Sequence, residues 1–120
     1  MVNGSDANLS AMKAVLMKKI EDFDSCAERL KAIADSDRLR ILNCLFAGPK
    51  TVGELATALN EDTVNVSHHL GVLRRSKILL AKKQGRFVQY SVHPDVKFER
   101  PSADGARKIN FGCCRLEIEP

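Results

Sequence analysis

The chain has 120 residues, a length suited to one domain, with 44% apolar residues and a formal net charge of +4. A core of this size is modest, so burial at a subunit interface would add to it. No apolar run approaches the roughly 20 residues that cross a bilayer, which excludes a membrane span. Met1 to Ser10 is polar and lacks the basic start and apolar stretch of a signal peptide. The expectation is a cytoplasmic protein whose four cysteines stay reduced, without a disulfide framework.

Residues 1–8 read as a mobile tail. From Leu9 to Ala34 the pattern is helical, with Met12, Leu16, Ile20 and Phe23 on one face at steps of three and four. Glu21 to Ser25 is a candidate break, and Ala27, Leu30, Ile33 and Ala34 continue the apolar stripe. Asp35 and Ser36 cap the next helix, lined by Leu39, Leu42, Leu45 and Phe46 and stopped by Gly48-Pro49. Thr51 and Glu54 have the spacing of a capping box, followed by a face of Val52, Leu55, Ala56 and Leu59. Asn60-Glu61 turns the chain, and Asp62 caps a helix that runs to about Lys77.

That last helix has two unlike faces. Val66, Leu70, Leu73 and Lys77 share one, which must pack, the Lys77 stem snorkelling at its end. Val64, Ser67, His68, Gly71 and Arg75 share the other, which is small, polar or basic, as entry into a DNA major groove requires. Gly71 costs about 1 kcal/mol relative to Ala in a helix, which close approach of another surface would explain. Two strands follow. Leu79 to Lys83 leads into the turn Gln84-Gly85-Arg86, and Phe87 to Val92 returns until His93-Pro94. Phe87, Gln89 and Ser91 point one way and Val88, Tyr90 and Val92 the other, as in a half-buried hairpin.

Helix, turn, helix and basic hairpin in this order define a mainly α, α+β winged helix-turn-helix spanning 9–94, with 95–120 as a C-terminal extension. Arg74, Arg75, Lys77, Lys82, Lys83 and Arg86 cluster here, and nothing from Thr63 to Pro94 is Asp or Glu. Such a block is either a solvated face or a nucleic-acid surface. The double-stranded DNA reading assigns contacts to Thr63, Val64, Asn65, Ser67, His68, Arg74, Arg75, Lys82, Lys83 and Arg86. The recognition helix would read base edges and the hairpin tip would touch phosphate or minor groove. A protein-docking winged helix is the rival, but it would expose more apolar surface there. No P-loop, dinucleotide fingerprint, G-x-S-x-G or H-E-x-x-H occurs, so neither enzymatic activity nor a required cofactor is expected.

Three stretches resemble the ArsR/SmtB family of metal- and metalloid-responsive repressors. Leu30 to Leu42 is similar to its "LKALADPTRLRIL" opening, Val66 to Arg74 to its "VSxHLxxLR" recognition helix, and Gly85 to Tyr90 to its "GRxVxY" wing; Thr51 to Leu59 fits its first helix. The resemblance implies a homodimer on an imperfect palindrome, released by an inducer, with His68 as a DNA contact and Arg86 as the wing contact. The chain departs from the family where many of its members bind metal. Thr51 to Leu59 holds no Cys, His or Asp, and 95–120 holds no histidine. Pro101, Gly105 and Gly112 interrupt any C-terminal dimer helix, and Ile109 to Phe111 and Arg115 to Ile118 suggest extended pieces. The N-terminal helices are then left to carry the dimer.

Cys113-Cys114 is the distinctive feature outside the reader. Thiolates select soft ions, and a pair of sulfurs suits a large centre such as As(III). In a strand, neighbouring side chains diverge, which disfavours a small tetrahedral ion. A trigonal site needs a third sulfur, from Cys26 or Cys44. Metalloid or soft-metal sensing, thiol redox sensing and an inert pair all stay open. Cys44 reads as a small buried hydrophobe and Cys26 as structural. His68 and His69 diverge by about 100° on a helix and cannot readily chelate one ion, so His69 reads as packing.

Overall fold

The computed structural model describes residues 23–99 and 103–119. The tail read at 1–8 and the positions Met12, Leu16 and Ile20 lie outside them. The described helices are α1 at 23–33, α2 at Ser36–Leu45, α3 at Val52–Leu59 and α4 at Thr63–Arg75. The strands are β1 (Lys50–Thr51), β2 (Leu79–Gln84), β3 (Phe87–Val92), β4 (Lys97–Glu99), β5 (Arg107–Asn110) and β6 (Arg115–Ile118). The mainly α winged helix-turn-helix expected from the sequence is the fold observed.

Short-range chemistry sets the helix starts. The Asp35 carboxylate accepts from the N–H groups of Asp37 and Arg38 at 2.9 and 3.1 Å. The Arg38 N–H, the Arg38 guanidinium and the Asp37 N–H hold its pKa below the usual 3.8, against partial desolvation. Asp35→Ala is therefore expected to cost about 1 kcal/mol of stability at neutral pH. The cap's contribution is complete above pH 3.8 and fades as pH falls through the lower folded-state value. Urea titrations of variant and parent at successive pH values should converge there. Thr51 and Glu54 form the full capping box of α3. Asn60 supplies the left-handed residue at the α3–α4 turn, with φ 52, and Asp62 caps α4 through Val64 N–H at 2.8 Å.

Helix α4 stops two residues short of the expected end. Ser76 is its C-cap and Lys77 adopts φ 57, so Lys77 leaves the packed face and is exposed. Val66, Leu70 and Leu73 are buried as expected, in one cluster with Ile33, Ile41, Leu42, Leu45, Leu55, Ile78 and Leu79. Burying each such side chain stabilises the fold by about 1.5–3 kcal/mol. In α2 the expected Leu39 is exposed and Ile41 takes the core position. The α1 stripe is buried as expected only at Ile33. Phe23, Ala27, Leu30 and Ala34 are exposed, while Cys26, Ala32 and Ile33 face the core.

Strand order in the first sheet is β1-β3-β2, all antiparallel. The two-residue turn Gly85-Arg86 closes the β2–β3 hairpin, with Gly85 at φ 61. Tyr90 and Val92 pack on the core as read from the sequence, but the expected alternation does not extend to the tip, where Phe87 and Val88 are both exposed because the hairpin there projects beyond the core. The second sheet is a β4-β5-β6 meander. It joins the same core through Val96, Ile109 and Phe111. The Phe98 ring stacks on Phe46 of the α2 C-cap at 4.0 Å between centroids, and the Arg107 guanidinium donates to Asn43.

Candidate functional site

The outer surface of α4 and the β2–β3 wing both carry exposed basic side chains. Val64 is 73% exposed, and Thr63, Asn65, Ser67, His68, Arg74 and Arg75 are exposed beside it. Burial of Val66, Leu70 and Leu73 fixes this orientation, since residues three and four apart share a side of the helix. Lys82, Lys83 and Arg86 are exposed near the hairpin tip, with Lys82 opposite Gln89 and Lys83 opposite Val88. All ten positions read from the sequence as DNA contacts are thus accessible. A Cβ added at Gly71 would meet only the Arg75 guanidinium, its nitrogen at 3.2 Å, so no packed neighbour explains this glycine.

One polar cluster was not legible in the sequence. His69 Nδ1 accepts from the Arg38 guanidinium at 3.2 Å, which leaves Nε2 to carry the proton facing Asp37 Oδ2 at 3.6 Å. Arg38 also donates to the Ala32 carbonyl and lies 3.9 Å from Asp35. His69 therefore packs, but as a polar pin between α4 and the start of α2. Asp35, Asp37 and His69 lie close enough to hold an ion. The Arg38 charge already fills that role and repels a second cation.

The second site is built of sulfur. Cys113 and Cys114 lie in the β5–β6 turn, not in a strand. Phe111 N–H donates to the Cys114 carbonyl at 2.9 Å, Gly112 N–H to the Asn110 side chain at 2.8 Å, and Gly112 takes φ 90. The turn brings the two sulfurs within 4.0 Å, which strand geometry would have prevented. Cys26 of α1 meets them, and the three sulfurs lie within 4.8 Å of one another. Cys44 is not in this group; it is a free, half-buried thiol packed against the core.

The expectation of four reduced cysteines is corrected here, because Cys26 and Cys113 form a disulfide. The meander folds the far end of the chain back onto α1, an approach of residues 87 apart that spacing does not reveal. Cys26 has no hydrogen once linked, so the 2.9 Å contact between its sulfur and Cys114 is an S–H donated by Cys114. Arg29 braces the same turn. It donates to the Phe111 carbonyl at 3.0 Å and pairs with Asp95 at 3.5 Å.

The family model described as bacterial regulatory protein, arsR family, matches residues 35–79. The transcriptional repressor SdpR of Bacillus subtilis is 35% identical over 66 residues, covering 55% of this chain and 73% of SdpR. The arsenical resistance operon repressor of Escherichia coli is 40% identical over 67 residues, covering 55% of this chain and 57% of that repressor. The homodimeric winged helix-turn-helix DNA-binding domain of Mb0332 from Mycobacterium bovis superposes with a TM-score of 0.59 at 29% identity. That match covers 62% of this chain and 69% of the Mb0332 fragment. No described helix is long and apolar enough to cross a membrane.

Proposed function

The chain belongs to the arsR family of bacterial regulatory proteins, and we propose that it is a homodimeric repressor whose operator grip is released through the sulfurs of Cys26, Cys113 and Cys114. One observation carries the DNA-binding half of this reading. A helix seated by Val66, Leu70 and Leu73 turns an acid-free face of Val64, Ser67, His68, Arg74 and Arg75 outward, beside a basic wing. The names of two relatives as repressors, and of Mb0332 as a homodimeric DNA-binding domain, agree with it. Nothing in this reading calls for catalysis.

The dimer contact falls to α1. Phe23, Ala27, Leu30 and Ala34 recur at steps of three and four, yet Phe23 is 65% and Leu30 43% exposed. An apolar stripe at helical spacing that one chain leaves in water is accounted for by a second copy. Leu30→Asp should give a monomer in sedimentation and weaken binding to a two-half-site operator by more than tenfold, while leaving the thermal unfolding of the monomer nearly unchanged. A variant that still sediments as a dimer would move the interface elsewhere.

As(III) or another soft ion is the inducer class that three converging thiolates favour. The donors fit a trigonal centre, provided Cys26 and Cys113 are reduced. The Cys26–Cys113 disulfide favours a second reading, in which oxidation is itself the signal. Fluorescence anisotropy on DNA from upstream of the protein's own gene tests both, with reduced protein, arsenite, antimonite, cadmium, zinc and a mild oxidant. Release by a thiophilic ion that Cys113→Ser and Cys114→Ser abolish supports ion sensing. Release by oxidant that Cys26→Ser abolishes but Cys114→Ser does not supports redox sensing. Unchanged release in the double variant Cys113→Ser/Cys114→Ser would remove the sulfur site from the mechanism.

A further inference from the structure

A cleft of about 530 Å³ opens beside the disulfide, lined by Ser25, Arg29, Lys77, Asp95, Phe111, Gly112 and Cys113. Its charges are mixed. Lys77 is exposed, held at φ 57 just past α4, and makes no ion pair among the described residues. Asp95 pairs with Arg29 but keeps 59% of its side chain exposed. One disulfide sulfur belongs to a residue of this lining, while its partner Cys26 is buried at 5% exposure. The site therefore offers a cation, an anion and an attackable sulfur within one concavity.

We propose that this cleft is a covalent binding site for a zwitterionic aminothiol, a small molecule carrying a thiol, an ammonium and a carboxylate, with free cysteine as the simplest member. The inference rests on the sulfur-site reading above. Lys77 draws the carboxylate and Asp95 the ammonium, which sets the thiolate toward Cys113. The thiolate attacks Cys113 Sγ, a new S–S bond forms there, and the Cys26–Cys113 bond breaks with its electron pair on Cys26. Cys114, whose sulfur lies against Cys26 Sγ, passes its proton to the leaving sulfur. The products are an aminothiol–Cys113 disulfide, a Cys26 thiol and a Cys114 thiolate, so electrons, protons and charge balance without an outside oxidant. The incoming thiol is oxidised to the disulfide level and Cys26 is reduced. The attack is directed to Cys113 because burial protects Cys26.

The test uses the full chain in its disulfide form with cysteine, cysteamine and mercaptopropionate, matched for thiolate concentration. Cysteamine lacks the carboxylate and mercaptopropionate the ammonium. Acid-quenched samples are followed by intact mass, and the attachment point by peptide mapping. Cysteine should add at Cys113 roughly two- to fivefold faster than either truncated thiol, the range of an exposed ion pair. Lys77→Asn, which tolerates positive φ, should erase the margin over cysteamine. Asp95→Asn should erase the margin over mercaptopropionate. Equal rates for the three thiols in the unsubstituted protein, or attachment at Cys26, would overturn the aminothiol site and leave the sulfur-site reading intact. Absence of a Cys26–Cys113 peptide under non-reducing conditions would overturn the aminothiol site and the redox reading together, and leave ion sensing by the reduced sulfurs standing.

Discussion

Replacing Lys82, Lys83 and Arg86 together by glutamine is expected to lower operator affinity by at least about 100-fold at physiological salt and to flatten its salt dependence. Each phosphate that the wing no longer neutralises takes about 0.9 off the slope of log K against log salt, so six such phosphates per dimer take off about 5. The three side chains are exposed on a hairpin whose core-facing partners are Tyr90 and Val92. Their removal should therefore change folding stability by no more than about 0.5 kcal/mol. His68→Ala provides the contrast. It should cost about 1–3 kcal/mol on the operator, relax the preference at one base position, and leave the salt slope unchanged. Anisotropy titrations at several salt concentrations, on operator and scrambled duplexes, separate the two behaviours. If the wing variant keeps the parental slope, the hairpin does not touch phosphate. If His68→Ala weakens both duplexes alike, His68 does not read bases.

The parts of this site that were legible in the sequence are those decided within a few residues. The Asp35 cap, the Thr51–Glu54 box, the Gly85 turn and the two faces of α4 all depend on neighbours within about four positions. The parts that were not legible depend on distant chain. Strand β1 is two residues whose pairing is with Gln89 and Tyr90. The pin of His69 to Arg38 spans 31 positions. The α1 stripe was correct as a pattern but not as burial. Helical spacing says that Phe23, Ala27 and Leu30 share a face, and cannot say whether that face meets its own core or another chain. Leu39 and Lys77 failed for a related reason. Each sits where a helix face turns from core to solvent or where the helix ends, and tertiary packing decides that edge. The ten positions assigned to DNA were readable as an exposed surface because they are what remains after the buried side of α4 and of the hairpin is assigned.

The cysteine site has the larger consequence for stability. Opening the Cys26–Cys113 link releases a closed loop with a sequence separation of 87. The chain-entropy account puts the associated loss at about 4–5 kcal/mol, a large share of the stability of a small domain. Urea unfolding under reducing conditions should therefore show a midpoint well below that of the oxidised protein, and Cys26→Ser should match the reduced parent. An ion that bridges the three sulfurs replaces the covalent link by a coordinate one. Arsenite added to reduced protein at about 100 times its Kd should then restore roughly 2.7 kcal/mol. Cys114→Ser separates the two chemistries. It keeps the disulfide, and so the oxidised midpoint, but loses one of three donors and most of the arsenite effect. Cys44→Ser should leave both intact, because Cys44 lies outside the group. A reduced midpoint equal to the oxidised one would show that the link carries no stability. Equal arsenite stabilisation in Cys26→Ser would show that α1 takes no part in holding the ion. The sensor would then have no path from the C-terminal sheet to the helix that presents the dimer stripe. If both expectations hold, Cys26 ties the sulfur chemistry to α1, the helix whose exposed Phe23, Ala27 and Leu30 are the proposed dimer face, and a change in how that helix is tethered is the proposed route to release from DNA.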